Sequence, residues 1–305
     1  MTELTLDRSF DQAVQIIKEN SKSFYKAFKM LEREKFLGVA GLYAFFRTID
    51  DLADDSTEEN KEESLNRLQD LESDLLKIYK NERVNSSYSW WPAFETTIKK
   101  YEIDPKGFLM QLEGQRSDIN FEDIEDEKEL IEYSKNVAGS VGRTILPIIA
   151  FKNKDDEDLL KACENLGIGM QITNILRDVG EDLRLRDRMY LPKSLLSEYG
   201  LSKEKIRLFL KEDFNKEDFT AFKKVWERLA QLSESYYDSF KEYLPMIDED
   251  SRLSVYASSL IYRAILDQIR QSNYDCLTKK QAVSNAKKLS LIKKAKETVK
   301  IFKEN

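Results

Sequence analysis

Residues 36–54 read FLGVAGLYAFFRTIDDLAD. It is apolar on nearly every side until Arg47, which is typical of a helix at the centre of a folded domain. The same stretch ends in carboxylates, which are costly to bury unless they are paired or bound to a metal. The sequence therefore predicts a central helix whose acidic end faces a polar site.

A second stretch, residues 159–182, repeats this combination with the sequence LLKACENLGIGMQITNILRDVGED. Side chains four positions apart share one face of a helix, so each stretch places its polar groups in a row. The first predicted row contains Tyr43, Arg47, Asp50 and Asp54, and the second contains Gln171, Asn174, Asp178 and Asp182.

Carboxylates one helical turn apart repel one another, and a bound divalent cation relieves that repulsion. Mg²⁺ prefers oxygen ligands and is usually held by one or two carboxylates together with substrate phosphates. One acidic cluster alone is more often a solvated helix end. Two clusters on apolar helices favour a cation-binding mouth above an apolar interior, which suits a diphosphate head and a hydrocarbon tail.

The rest of the chain predicts an all-α protein. Only 10 of the 305 residues are glycine and 5 are proline, and helical periodicity dominates. The predicted helices cover residues 7–19, 24–31, 34–54, 60–80, 90–102, 105–119, 127–151, 155–182, 203–210, 216–241, 250–274 and 279–302. Because no repeat or flexible linker interrupts them, we interpret residues 1–305 as one domain.

The composition excludes several classes of site and partner. The chain has no histidine, which rules out Ser-His-Asp triads, Cys-His pairs and histidine-rich zinc sites. A net charge of −7 does not suit a nucleic-acid binder. Two cysteines, no apolar signal core and no run of about 18 apolar residues indicate a cytoplasmic protein. Gly167 and Gly169 follow no predicted strand, so we interpret them as close helix packing and not as a dinucleotide site.

Five motifs resemble those of the squalene/phytoene synthase family, and most of all its bacterial dehydrosqualene (4,4'-diapophytoene) synthases. They are SKSF (21–24), YAFFRTIDDLADD (43–55), VAGSVG (137–142), QITNILRDVGEDLR (171–184) and RMYLP (188–192). The resemblance runs from about residue 10 to 290, and NILRDVGED is highly specific. It implies the isoprenoid synthase fold, a single-domain helical bundle around a deep apolar cavity.

The resemblance also implies roles for particular residues. The ligands of two or three Mg²⁺ ions would be Asp50, Asp54, Asn174, Asp178 and Asp182. The catalytic residues would be Asp50, Asp54, Asp178 and Asp182, together with Tyr133 and Arg177. The substrate-binding residues would be Ser21, Lys22, Ser23, Phe24, Phe28, Tyr43, Arg47, Gln171, Asn174, Tyr262 and Lys279.

The sequence departs from the family pattern at three places. Asn20 replaces a frequent histidine, and it donates hydrogen bonds without carrying a charge. Lys279 and Lys280 stand where arginine is usual, and lysine lacks the bidentate geometry of arginine. Asp187 replaces a glycine.

The activity that the resemblance implies is a Mg²⁺-dependent prenyltransferase reaction of carotenoid biosynthesis. Two farnesyl diphosphates would condense head to head, through presqualene diphosphate, to dehydrosqualene, and no NADPH is expected. Alternatives are a phytoene synthase that uses geranylgeranyl diphosphate, a squalene synthase, and a non-catalytic helical assembly protein. Phe24 and Phe28 are either ordinary core residues or rings that shorten the tail pocket and so favour a C15 substrate.

The last predicted helix is rich in lysine. It is interpreted either as a solvated face or as a peripheral contact with the inner face of the cell membrane, where lipid substrates and products reside. No obligate protein partner is evident from the sequence.

Overall fold

Helices make up all the regular secondary structure of the residues that this computed structural model describes, 3–211 and 215–302. The α-helices are α1 (Glu3–Asn20), α2 (Lys22–Phe28), α3 (Arg33–Asp54), α4 (Lys61–Tyr79), α5 (Trp91–Tyr101), α6 (Lys106–Ile119), α7 (Glu127–Ser134), α8 (Ser140–Ile149), α9 (Glu157–Arg186), α10 (Lys193–Glu198), α11 (Lys203–Phe209), α12 (Lys216–Phe240), α13 (Glu249–Gln271) and α14 (Asn285–Ile301). The all-α prediction is confirmed.

The two apolar stretches form the central helices of the bundle. Helix α3 packs against α1, α5 and α6, and α9 packs against α8, α12 and α13. On α3, Phe45 is fully buried and stacks on Phe94 of α5 with 4.7 Å between ring centroids. Phe108 of α6 meets the same ring edge-on at 5.4 Å. These aromatic contacts fix α3 in the core and present its acidic end at one side of the bundle.

Glycines allow α8 and α9 to approach closely. A Cβ atom added at Gly142 would collide with the carbonyl oxygen of Cys163, and one added at Gly167 would collide with that of Ala138. The Cβ of Tyr236 on α12 would lie 3.0 Å from a Cβ added at Gly169. The interpretation of Gly167 and Gly169 as packing residues is confirmed.

The structure corrects three helix predictions. The predicted helix 127–151 is divided into α7 and α8 by a π-helical segment, Lys135–Gly139, a feature common near functional sites. The short helix α10 was not predicted. The predicted last helix, 279–302, begins only at Asn285, because Ser284 caps it by accepting a hydrogen bond from the Lys287 amide at 3.2 Å.

No helix within residues 3–211 and 215–302 is both long and apolar enough to cross a lipid bilayer.

Candidate active site

A cavity of about 790 Å³ lies between the acidic ends of α3 and α9. The predicted site residues that line it are Ser21, Lys22, Ser23, Phe24, Tyr43, Arg47, Asp50, Asp54, Tyr133, Gln171, Asn174, Arg177, Asp178, Asp182 and Tyr262. Two stretches more than 100 residues apart in sequence thus contribute to one site. Two predicted residues, Phe28 and Lys279, do not line this cavity.

Arginine side chains neutralise the acidic face of α3. Arg47 donates a hydrogen bond to Asp50 at 3.0 Å and a second to Asp51. Arg186, at the end of α9, lies 3.0 Å from Asp54 across the cavity. Desolvation in the cavity and repulsion from Asp54 raise the pKa of Asp50 to about 7. A bound cation would therefore stabilise the ionised form of this cluster.

The acidic face of α9 is likewise paired with basic side chains. Arg177 Nε donates to Asp178 at 2.8 Å, and Lys280 Nζ lies 3.5 Å from the same carboxylate. Desolvation and the charge of Asp178 raise the pKa of Asp182 to about 7. Asn174 Oδ1 is buried and accepts no hydrogen bond. It is an oxygen donor directed to the same side of α9 as the two carboxylates.

The donor set fits a hard divalent cation. Carboxylate and amide oxygens are the ligands that Mg²⁺ takes from proteins, and a substrate phosphate usually completes the coordination. Among the described residues, no three acidic or cysteine side chains converge into a ready-made metal site. The acidic faces of α3 and α9 instead place their oxygens on two walls of the same cavity. Each face forms an ion pair with at least one arginine of the protein.

A buried carboxylate that the sequence analysis missed, Asp118 of α6, also lines the cavity. The Tyr133 hydroxyl donates to both of its oxygens at 3.0 Å, and the Tyr190 hydroxyl donates to one at 2.9 Å. Arg188 donates to the Asp118 carbonyl oxygen at 2.8 Å. Burial raises the pKa of Asp118 to about 6, although Arg188 and the two hydroxyls lower it.

Lysines from helices other than α3 and α9 also line the cavity. Lys22 lines it from the first turn of α2, next to Ser21, whose hydroxyl caps that helix. Lys288 of α14 reaches the cavity and donates to Ser23 Oγ at 3.0 Å. Asn20 lines the cavity as well.

Lys280, and not Lys279, reaches the cavity, which corrects the sequence analysis. The cause is the path of the chain before α14. The Gly180 amide donates to the Cys276 carbonyl at 3.1 Å, and a Cβ atom at Gly180 would collide with the Leu277 carbonyl oxygen. The glycine of the NILRDVGED motif therefore lets this segment cross α9, and Lys280 turns toward Asp178.

An apolar pocket of about 210 Å³ adjoins the polar cavity. The two share a wall formed by Phe24, Tyr43, Phe46, Asn174 and Tyr262.

The deeper lining of this pocket is apolar and includes Phe28, whose side chain is 8% exposed. Its ring stacks on Phe24 at 5.7 Å, and Phe24 stacks on Tyr262 at 5.0 Å. Val39 lines the pocket about 16 Å along α3 from Asp50, at 1.5 Å per residue. The arrangement holds a polar head at the mouth and an apolar chain below it.

Comparisons with known proteins identify relatives of this chain. The chain is 31% identical to the chloroplastic phytoene synthase of an Oncidium hybrid cultivar over 295 residues, covering 95% of this chain and 68% of that protein. It is 28% identical to the 4,4'-diapophytoene synthase of Staphylococcus haemolyticus over 299 residues, covering 97% and 99%.

Among solved structures, a dehydrosqualene synthase in complex with a ligand superposes with a TM-score of 0.84 at 32% identity. The superposition covers 97% of this chain and 98% of the other, which confirms the predicted isoprenoid synthase fold. The family description "Squalene/phytoene synthase" matches residues 17–288. The chain therefore belongs to the squalene/phytoene synthase family.

Proposed function

We propose that this protein joins two molecules of farnesyl diphosphate head to head and converts the resulting presqualene diphosphate to dehydrosqualene (4,4'-diapophytoene). The observation that carries the proposal is the placement of two opposed carboxylate faces, on α3 and α9, directly above an apolar pocket. A diphosphate and its prenyl tail need these two environments side by side.

In this proposal two or three Mg²⁺ ions are held by oxygens from both central helices. The ligands would be Asp50, Asp54, Asn174, Asp178 and Asp182. When bound, the ions would neutralise the diphosphate and make it a better leaving group. Lys22 of α2, Lys288 of α14 and Lys280, beside Asp178, add positive charge to the cavity and would orient the diphosphate oxygens.

The residues of the chain also explain how an allylic cation could survive. Arg47 and Arg177 lie beside the acidic faces and would stabilise negative charge as the diphosphate leaves. The double bond of the second substrate then captures the cation, and loss of a proton from C1 of the ionised unit closes a cyclopropane. The apolar pocket excludes water, and the rings of Phe24, Tyr43 and Tyr262 offer π faces to the positive charge.

The C15 substrate is favoured by Phe28 and by the structural relative. Phe28 narrows the apolar pocket beyond Phe24, so it would limit the length of the tail. The structure that superposes over 97% of the chain is a dehydrosqualene synthase. Phytoene synthase activity with geranylgeranyl diphosphate is the second candidate, because a plant phytoene synthase is 31% identical to this chain.

Product analysis tests the proposal. Purified protein is incubated with Mg²⁺ and either farnesyl or geranylgeranyl diphosphate, with and without NADPH, and the hydrocarbons are identified by mass spectrometry. We expect dehydrosqualene from farnesyl diphosphate, with no need for NADPH. A C40 product would support the phytoene synthase alternative, and squalene formed only with NADPH would support a squalene synthase. Absence of pyrophosphate release with both substrates would reject an enzymatic role.

A further inference from the structure

Asp118 stands apart from the other acidic groups of the cavity. Among the described residues that line it, the remaining carboxylates are Asp50, Asp54, Asp178, Glu181 and Asp182, all on α3 or α9. Asp118 belongs to α6, and its carboxylate accepts hydrogen bonds from two tyrosine hydroxyls. Its helix and its tyrosine donors therefore distinguish it from the carboxylates of the two acidic faces.

The hydrogen-bond geometry gives the two tyrosines different tasks. Tyr133 donates to both Asp118 oxygens, and both side chains line the cavity. Tyr190 donates to one oxygen and also accepts from Arg188 at 3.3 Å. Arg188 in turn lies 3.9 Å from the Asp118 carboxylate. Tyr190 and Arg188 thus hold one oxygen of Asp118, whereas Tyr133 bridges both oxygens at the wall of the cavity.

We propose that Asp118 accepts, through the Tyr133 hydroxyl, the proton that the substrate cation loses when the cyclopropane closes. This inference rests on the proposed function. The C1–H bond of the cationic intermediate breaks, and its electron pair forms the new ring bond. The proton passes to the Tyr133 oxygen as the Tyr133 O–H proton passes to Asp118. The carboxylate becomes a neutral acid, and the positive charge of the intermediate disappears.

The surroundings of Asp118 and Tyr133 favour this proton transfer. The side chain of Asp118 is held at 2.9–3.0 Å by its donors, within the range required of a proton relay. Burial and the neighbouring Asp118 raise the pKa of Tyr133 well above its ordinary value, so Tyr133 stays a phenol between turnovers. The chain has no histidine that could take the proton. The released diphosphate can remove it from Asp118 afterwards by the same path.

Asp118→Asn tests the relay because asparagine keeps the shape of the side chain and cannot accept the proton. Pyrophosphate release, hydrocarbon product and prenyl alcohols are measured in the same reaction, using farnesyl diphosphate with hydrogen or deuterium at C1. We expect pyrophosphate release to continue, whereas hydrocarbon formed per pyrophosphate falls about a hundredfold or more. Water should then capture the cation as alcohol, and deuterium should shift the partition further toward alcohol than in the unmodified protein.

Tyr133→Phe must give the same ratio of alcohol to hydrocarbon as Asp118→Asn, because it removes the relaying hydroxyl and keeps the ring. It also decides the question if Asp118→Asn fails to fold. Tyr79→Phe is the matched control, since it removes the hydroxyl of a partly buried tyrosine that donates to the Ile103 carbonyl at 2.8 Å and does not line the cavity.

The relay is wrong if both variants keep the hydrocarbon fraction and isotope effect of the unmodified protein. It is also wrong if pyrophosphate release and hydrocarbon fall in parallel, because that result indicates a structural role only. Failure of the unmodified protein to release pyrophosphate from either substrate would instead overturn the proposed function.

Discussion

The guanidinium of Arg186 on α9 lies 3.0 Å from the carboxylate of Asp54 on α3, so the acidic ends of the two central helices are joined by an ion pair across the cavity. The side chains are 25% and 34% exposed, and a pair of this kind is worth about 1 kcal/mol or less. This ion pair holds the acidic ends of α3 and α9 together and leaves the cavity between them open. A diphosphate with its cations can replace it at little cost.

The acidic face of α9 is the first target for mutation. In Asp178→Asn, loss of one carboxylate of the proposed metal site should lower kcat/KM about a hundredfold or more. Asp55→Asn is the matched control, because Asp55 directly follows Asp54 in the sequence but lines a separate cavity. The rate of pyrophosphate release, measured for both variants, tests whether Asp178 contributes to the site. Equal activities would remove Asp178 from the site.

Neighbouring lysines provide a second comparison. Lys280 lines the cavity 3.5 Å from Asp178, whereas the exposed Lys279 does not line it. Lys280→Gln should raise the KM for farnesyl diphosphate about tenfold, the loss expected for one charge-assisted hydrogen bond. Lys279→Gln should leave KM close to that of the unmodified protein. A larger effect at Lys279 would contradict the chain path before α14.

Phe28 tests the control of chain length. Phe28→Ala should enlarge the apolar pocket and raise the ratio of C40 to C30 product, at a cost of about 3–5 kcal/mol in stability. Phe94→Ala is the matched control, because Phe94 is a fully buried phenylalanine that lines neither cavity. Product ratios are measured with both substrates at a temperature where both variants are folded. No gain on geranylgeranyl diphosphate would show that Phe28 does not limit the tail.

The acidic faces also predict a dependence of stability on pH. The pKa values of Asp50 and Asp182 rise from 3.8 to about 7 on folding. The folded state therefore binds more protons, and in the absence of divalent cations the free energy of unfolding should fall as the pH rises from about 4 through about 7.

Bound Mg²⁺ would hold both carboxylates ionised, so its stabilising effect should grow over the same range. Melting temperatures with EDTA and with Mg²⁺, compared at about pH 5 and about pH 8, measure this difference. A Mg²⁺ effect that does not change with pH would count against a cation site at these residues.

The two acidic faces could be predicted because they depend on local spacing. Long apolar helices with a strong period keep side chains at i and i+4 in one row, whatever surrounds them. Asp50 and Asp54 therefore lie on α3, and Asp178 and Asp182 lie on α9, within the predicted ranges.

Asp118 and the path of Lys280 could not be predicted in this way. The hydrogen bonds of Asp118 form only where α6, α7 and the segment before α10 meet. In the sequence, Asp118 has the appearance of an ordinary acidic residue near the end of a helix. Residues 279–283 have no helix breaker, yet hydrogen bonds around Asp275, just before them, keep them out of α14. The Asp275 carboxylate accepts from the Thr278 amide at 2.9 Å, and Gln281 donates to the Asp275 carbonyl at 2.7 Å.

The most direct measurement is a crystal structure with Mn²⁺ in place of Mg²⁺ and a non-ionisable thiodiphosphate analogue of farnesyl diphosphate. Anomalous scattering then locates the metal ions independently of the protein coordinates. The proposed function requires peaks between the Asp50–Asp54 and Asp178–Asp182 faces, with the diphosphate bridging them and the farnesyl chain directed toward Phe28. Metal peaks elsewhere, or a diphosphate bound without contact to either face, would contradict it.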